Sequence, residues 1–221
     1  HFLYWPWIYD LKTVDNITIP QGNVGVVESM DGAKSLEKGE IFAQEWVNPV
    51  DMLNAQKFME EGYKGPQLTV LTPGQYRYNP RLFTITVKKA LEVPIGTVAV
   101  IKANAGKPYE VTEQVEMVNG VPIVPQGFRG IWNKALSPNA YYLHPDAFVV
   151  TLVQTTNRVY NYVQKNSITV KTSDSFEFPV DVRVSVKISA EDAPYVVAML
   201  ANPDADLDRN GFVVLEDRVI L

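Results

Sequence analysis

The amino-acid sequence predicts an α+β fold made of two tandem modules, each a small, mostly antiparallel β-sheet with short helices. Three observations lead to this prediction: parts of the chain are duplicated, short β-branched runs alternate with turn residues, and two stretches carry apolar residues at helical spacing. A chain of 221 residues has room for one large domain or two small ones. The duplication favours two.

The duplication is clearest in two stretches of equal length. Residues 65–80 read GPQLTVLTPGQYRYNP and residues 130–145 read GIWNKALSPNAYYLHP, at a constant offset of 65. A second pair, IPQGNVGVV from Ile19 and VPIGTVAVI from Val93, has an offset of 74, so the second copy lacks nine residues between its halves. Each half predicts a turn followed by a strand, because Pro and Gly bends precede apolar runs.

The first module is predicted to cover residues 13–90. The Asp31-Gly32 pair is a hairpin-type signal, and residues 46–63 carry apolar side chains at helical spacing, which predicts one short helix. Strands are predicted at 24–27, 68–70 and 83–87.

The second module is predicted to cover residues 91–221. Asn119-Gly120 between two apolar stretches predicts a hairpin, and the strict alternation over 167–187 predicts two antiparallel strands with one wet face. Ser189 followed by acidic residues predicts the start of a helix that ends near Ala201. Further strands are predicted at 98–101, 148–153 and 157–162.

Residues 1–12 form an aromatic segment that we interpret as membrane-proximal. Trp and Tyr favour the membrane–water boundary, where the ring is half buried and its polar edge stays wet. The alternatives are that these rings pack on the first module or flank a removed hydrophobic anchor. No apolar run approaches the roughly 20 residues that a membrane-spanning helix needs. The candidate membrane-interface residues are Phe2, Tyr4, Trp5, Trp7 and Tyr9.

Composition and motifs argue against most catalytic and nucleic-acid-binding classes. The net charge is −5 with no long basic run, so nucleic acid is not an expected partner. The absence of cysteine excludes disulfides, thiolate metal sites and a cysteine nucleophile. His144 takes the place of Asn79 in the first copy, which favours a structural role in a turn. We therefore expect no enzyme activity and no cofactor.

One motif has the spacing of a calcium loop. Oxygen-bearing side chains at alternate positions and a Gly that permits a sharp turn are what such loops use. Against it, the ninth position is Val214 and the last ligand is Asp rather than Glu. The alternative is a solvated acidic loop that caps the last helix. The candidate metal ligands are Asp206, Asp208, Asn210 and Asp217.

The order of these patterns resembles the Band 7 or SPFH superfamily of stomatin, prohibitin and flotillin. The resembling stretches are VPIGTVAVIKANAGKP from Val93, PNAYYLHPDAFVVTLVQTTNRVY from Pro138 and NSITVKTSDSFEFPVDVRVSVKISAEDAPYVV from Asn166. The resemblance covers residues 13–221 and is strongest in the last 80 or so. It implies tandem SPFH-like modules, a membrane anchor N-terminal to this chain, and a helix or coiled coil that continues beyond residue 221.

The resemblance also implies a function. Such proteins are non-enzymatic, membrane-associated scaffolds that form homo-oligomeric rings or cages. They organise membrane patches or regulate partner membrane proteins such as proteases or channels, so membrane lipids and further copies of the chain are the expected partners. The alternatives are a soluble vault-like structural shell module and a calcium-dependent binding module. A hydrolase that relies on carboxylates alone is the weakest of the alternatives.

Overall fold

A computed structural model describes residues 14–109, 117–163 and 167–200 of the protein. The chain divides into two compact units, of which the first comprises His1–Leu91 and Ala140–Phe148 and the second Glu92–Asn139 and Val149–Leu221. Each unit has its own buried apolar cluster.

The first unit contains a small antiparallel sheet and two short helices. Its elements are β1 (Ile17–Ile19), β2 (Asn23–Ser29), α1 (Pro49–Leu53), α2 (Ala55–Glu61), β3 (Gly65–Leu71), β4 (Gly74–Tyr76) and β5 (Phe83–Lys89). β2 is the central strand of a sheet in the order β3-β2-β5, and β1 pairs with β4. The backbone of β2 is therefore paired along both edges.

The helical segment is interrupted by its own capping residues. The Asn48 side chain accepts from Val50 N at 3.0 Å and begins α1, and the Asn54 side chain accepts from Gln56 N at 3.1 Å and begins α2. Asn54 also ends α1. A side chain that caps a new helix holds its own backbone outside helical geometry. The single helix predicted over 46–63 is consequently two helices of five and seven residues.

The apolar cluster of the first unit is centred on Phe58 of α2. This ring is fully buried, contacts Phe83 edge-on at 4.8 Å between centroids and stacks on Trp46 at 5.8 Å. Offset and edge-on geometries are favourable for aromatic pairs. The other buried members are Ile19, Val27, Met52, Leu53, Leu71, Leu82 and Phe83.

Within the described residues the chain continues with twelve strands, β6 to β17, and one helix. They are β6 (Leu91–Glu92), β7 (Thr97–Ala103), β8 (Lys107–Pro108), β9 (Met117–Val118), β10 (Val121–Val124), β11 (Phe128–Trp132), β12 (Ala140–Tyr141), β13 (Phe148–Gln154), β14 (Arg158–Tyr162), β15 (Ile168–Lys171), β16 (Glu177–Val180), β17 (Val182–Val186) and α3 (Ala193–Leu200).

The second unit is built on a mixed sheet. Its strand order is β13-β7-β11-β10-β9, with β8 also paired to β11. β11 is antiparallel to β7 but parallel to β10 and β8. β7 is buried along most of its length, as the continuous apolar run from Val98 to Ile101 predicts.

Helix α3 closes the apolar cluster of the second unit. The predicted helix is present, but it begins at Ala193 with no acidic residue in its first turn. Ser189 caps the turn before it: its side chain accepts from Asp192 N at 3.1 Å, and its O accepts from Ala193 N at 3.2 Å. Ala193, Val197 and Ala198 of α3 are buried. They belong to one cluster with Val98, Val100, Ile123, Ile131 and Val153.

The duplicated stretches adopt the same local structure. Asn23 N donates to Pro20 O and Thr97 N donates to Pro94 O, each at 3.2 Å, with positive φ at the intervening glycine (74° and 83°). That φ identifies the same glycine-dependent turn in both copies. In the other half, Asn79 O accepts from the N–H groups three and four residues later (3.0 and 2.9 Å), and His144 O does the same (3.2 and 3.1 Å).

The α+β prediction is wrong: the described residues are mostly β, with 45% strand and 11% helix, in antiparallel and mixed sheets. The physical reason is that the repeating unit consists of strands. In the first copy, the residues before β3 form α1 and α2, whereas in the second copy the residues before β11 form β9 and β10. The helices are therefore local additions to a β framework.

The turn predictions have mixed outcomes. Asn119-Gly120 joins the antiparallel strands β9 and β10 with φ of 50° and 77°, so this hairpin is confirmed. Asp31-Gly32 joins no hairpin, because β2 ends at Ser29 and the next strand begins at Gly65. Gly32 is instead required by close approach, since a Cβ there would lie 2.6 Å from Lys64 N.

Replacing Phe58 with Ala should lower the free energy of unfolding by about 3–5 kcal/mol, because it leaves a cavity beneath Trp46 and Phe83. The adjacent Met59 on the same helix is exposed. Met59→Ala should change the free energy by less than about 0.5 kcal/mol. Urea unfolding followed by circular dichroism measures both, and equal effects of the two substitutions would contradict this packing.

Candidate self-association surface

Residues 158–186 form a β-ribbon that stands out because its apolar side chains are exposed. β14 pairs with β17 and β15 pairs with β16, both antiparallel. In the register, Tyr162 lies opposite Val182 and Ile168 opposite Val180. Only Asp181 separates β16 from β17, so these two strands form one arm of a hairpin, and β14 and β15 lie on the other arm. Over 167–187 the structure has three strands, β15, β16 and β17, where the sequence predicted two.

The tip of this hairpin is held by local hydrogen bonds. Thr172 N donates to Phe176 O at 2.9 Å, Phe176 N donates to the Thr172 hydroxyl at 3.2 Å, and Ser175 N donates to Thr172 O at 3.0 Å. Ser175 has a φ of 69°, which lets the chain reverse in the intervening residues. A Thr side chain that hydrogen-bonds nearby backbone favours such a turn.

One face of the ribbon is apolar and largely open to solvent. From 176 to 186 every even-numbered residue is Phe or Val, and alternation in a strand places these side chains on one face. Phe178 remains 45% exposed and Val184 41% exposed, and their cross-strand partners Val170 and Tyr160 lie on the same face. The alternation predicted a face packed on a core. In the structure this face has little cover from the described residues.

Strand pairing in the ribbon is limited to one side of each strand in the part of the chain that the structure describes. Among the described residues, each of β14, β15, β16 and β17 pairs with one other strand only. Unpaired edges offer N–H and C=O groups to another strand, and a two-stranded ribbon by itself is marginally stable in water. An exposed apolar face beside an open edge can bind an extended segment or another copy of the chain.

The opposite face of the ribbon carries charged and polar side chains. Lys171 lies 3.5 Å from Glu177, and both are well exposed. Arg183 Nε donates to Asn161 Oδ1 at 2.8 Å, and the Ser167 hydroxyl donates to Asp181 at 2.5 Å. The ribbon therefore has one apolar face and one polar face, on which the acidic Glu177 and Asp181 precede the basic Arg183 and Lys187 along the strand.

His144 is buried in the first unit and serves as a turn cap. Its Nδ1 accepts from Asp146 N and Ala147 N, both at 3.2 Å, and its ring contacts Phe42 at 4.8 Å between centroids. Asn79 accepts in the same way from Arg81 N at 3.0 Å, as the sequence equivalence predicts. Burial lowers the pKa of His144, and nearby Lys88 adds to this while Asp146 opposes it. This geometry is that of a structural histidine.

The first unit also has an open cleft of about 370 Å³ with polar walls. Of its charged groups, Lys57 lies 3.1 Å from Asp51, and the Lys34 ammonium lies 5.3 Å from the centre of the Tyr63 ring. Glu45 and Glu61 also line the cleft. Within the described residues, no group of three or more His, Asp or Glu side chains is placed to hold a metal ion.

The site residues predicted from sequence lie outside the described residues. This applies to the membrane-interface residues Phe2, Tyr4, Trp5, Trp7 and Tyr9. It applies equally to the calcium-loop residues Asp206, Asp208, Asn210 and Asp217. In the parts of the chain that the structure describes, none of the helices has the length and apolar character needed to cross a membrane.

In comparisons with protein-family models, curated proteins and solved structures, none matches this chain.

The burial of His144 predicts a loss of stability in acid. Its folded-state pKa is below the unfolded value of about 6.5, so the unfolded chain binds the proton more readily and stability falls as pH drops below about 6.5. His144→Asn keeps the acceptor that Asn79 uses but does not titrate. The free energy of unfolding should therefore fall less between pH 7.5 and 5.5 in the variant than in the parent protein. Equal losses in the two proteins would contradict this assignment.

Proposed function

We propose that this protein is a non-enzymatic, membrane-associated scaffold whose copies associate with one another. The observation that carries the proposal is the ribbon of residues 158–186, with its exposed apolar face and open strand edges. Soluble monomers rarely expose contiguous apolar surface, and such patches commonly mark interaction sites. Self-association covers this surface and pairs its edges.

The two β-rich units suit a scaffolding role. Each has a buried core and a strand that is paired along both edges. Contacts of one geometry that repeat between copies produce a defined assembly. We propose homo-oligomeric rings or cages as the form of this assembly.

The membrane association is proposed from the aromatic N-terminal segment and from the resemblance to the Band 7 or SPFH superfamily. Trp5 and Trp7 lie among other aromatic residues that favour the membrane–water boundary. Lipids are then one partner and the assembled copies delimit a patch of membrane. A protease or channel in that patch is the kind of protein that the scaffold would regulate.

The first prediction from this proposal concerns the mass of the assembly that the copies form. Val184 lies on the apolar face of the ribbon and Val159 on the opposite face, because their cross-strand partners are Tyr160 and Ser185. A carboxylate on the apolar face must be desolvated on association, so Val184→Asp should weaken self-association at least about tenfold. Val159→Asp, at a comparably exposed valine, should leave it nearly unchanged.

Sedimentation velocity over a range of protein concentrations measures this effect. A parent protein that stays monomeric at all concentrations, with and without vesicles, would refute the scaffold. If the two substitutions weakened self-association equally, the contact between copies would not lie on the apolar face.

The second prediction concerns lipid. Trp5→Ala combined with Trp7→Ala should reduce binding to phosphatidylcholine vesicles about tenfold, because both indole rings leave the interface. Ile95→Ala, at a fully exposed residue of the β6–β7 turn, is the control and should bind as the parent does. Vesicle co-sedimentation measures both variants. A large assembly that does not bind vesicles would instead favour the vault-like soluble shell.

A further inference from the structure

We infer that two copies of this chain pair along the open edge of residues 177–187, antiparallel and about a two-fold axis through Val182. This inference rests on the proposed self-association and names the contact that starts it. β16 and β17 are separated by Asp181 alone and belong to one arm of the hairpin. Together they offer a nearly continuous edge that, among the described residues, is paired on one side only.

The sequence of this edge is self-complementary when it is turned end for end. In the register centred on Val182, Glu177 lies opposite Lys187 of the other copy and Asp181 opposite Arg183. An isologous two-fold contact repeats each of these pairs, which gives four pairings of acid with base. Residues that are directly opposite in antiparallel strands share a face, so these charges meet on the polar face.

The apolar face matches in the same register. Phe178 lies opposite Val186 and Val180 opposite Val184, while Val182 meets its own copy on the axis. The apolar stripe of one ribbon thereby becomes continuous with that of the other, and the open edge is covered. A shift by one residue would place valines opposite charged residues, so the pattern favours this register over its neighbours.

Pro179 is compatible with this edge. The hydrogen bond from Thr172 N to Phe176 O makes this a hydrogen-bonded pair, and alternation makes Val170–Phe178 and Ile168–Val180 hydrogen-bonded pairs as well. Pro179, between them, directs its nitrogen to the outer edge and removes no bond to β15. In the paired copies it faces Ser185, and each Pro179 costs the contact one hydrogen bond. Proline at such a position limits further edge pairing.

Cysteine cross-linking tests the axis, because the parent chain contains no cysteine. Opposite residues in antiparallel strands have Cα atoms about 4.5–5.5 Å apart, which is within the range of a disulfide. Val182→Cys should therefore form a disulfide-linked dimer under mild oxidation. Val184→Cys is the matched control, since its two copies would be about 14 Å apart. We expect cross-linking of the control to be at least about tenfold slower, whereas mixing Val180→Cys with Val184→Cys chains should link the two.

Charge reversal tests the register without relying on one position. Glu177→Lys or Lys187→Glu alone places like charges opposite each other twice in the dimer and should weaken association roughly tenfold. The double variant Glu177→Lys with Lys187→Glu restores opposite charges and should recover the parent association. Sedimentation equilibrium of the full chain measures all three variants. Circular dichroism confirms that each variant is folded.

The outcomes separate this inference from the proposed function. Fast linkage at 182 together with recovery in the double variant supports the two-fold contact. If copies assemble, but the Val182→Cys and Val184→Cys variants cross-link equally and the double charge variant does not recover association, the two-fold contact is wrong and the scaffold proposal is retained. If no copies associate at any concentration, both fall.

Discussion

The structure depends on one repeated constraint, a buried central strand that must be paired along both of its edges. In the first unit this strand is β2 and in the second it is β7, and each begins after the same Pro-x-Gly turn. A buried backbone group without a partner costs free energy comparable to a lost hydrogen bond, so both edges need neighbours. Gly22 O accepts from Ala90 N and Gly96 O from Thr155 N, each at 2.9 Å, which fixes the equivalent neighbour in both copies.

The ribbon of residues 158–186 departs from this constraint. Its strands have one partner each among the described residues, and its apolar face is exposed where the central strands are buried. This contrast is the reason for placing the proposed contact between copies on the ribbon. A two-fold contact closes after two copies, so it supplies a pair, and a ring or cage requires a second contact of the head-to-tail kind.

The two copies of the duplicated unit differ mainly where local additions replace parts of the framework. Asn79 and His144 cap equivalent turns, but only the histidine adds a ring that contacts Phe42 and a titratable group, whose pKa is lowered by burial. The first copy inserts α1 and α2 before its third strand, while the second inserts the β9–β10 hairpin. These differences leave the order of the three equivalent strands unchanged, which is β3-β2-β5 in the first copy and β11-β7-β13 in the second.

The sequence by itself determined the duplication, the Pro-x-Gly turns, the Asn119-Gly120 hairpin, the presence of a helix after Ser189 and the positions of most strands. Each of these depends on residues that are close in the chain, where turn chemistry and alternation decide the outcome. The tertiary structure alone decided the mostly β class, the parallel pairing of β10 with β11, and the exposure of the apolar face of the ribbon. Alternation shows that Phe178 and Val184 share a face, but what covers that face depends on distant residues, and a local pattern carries no information about them.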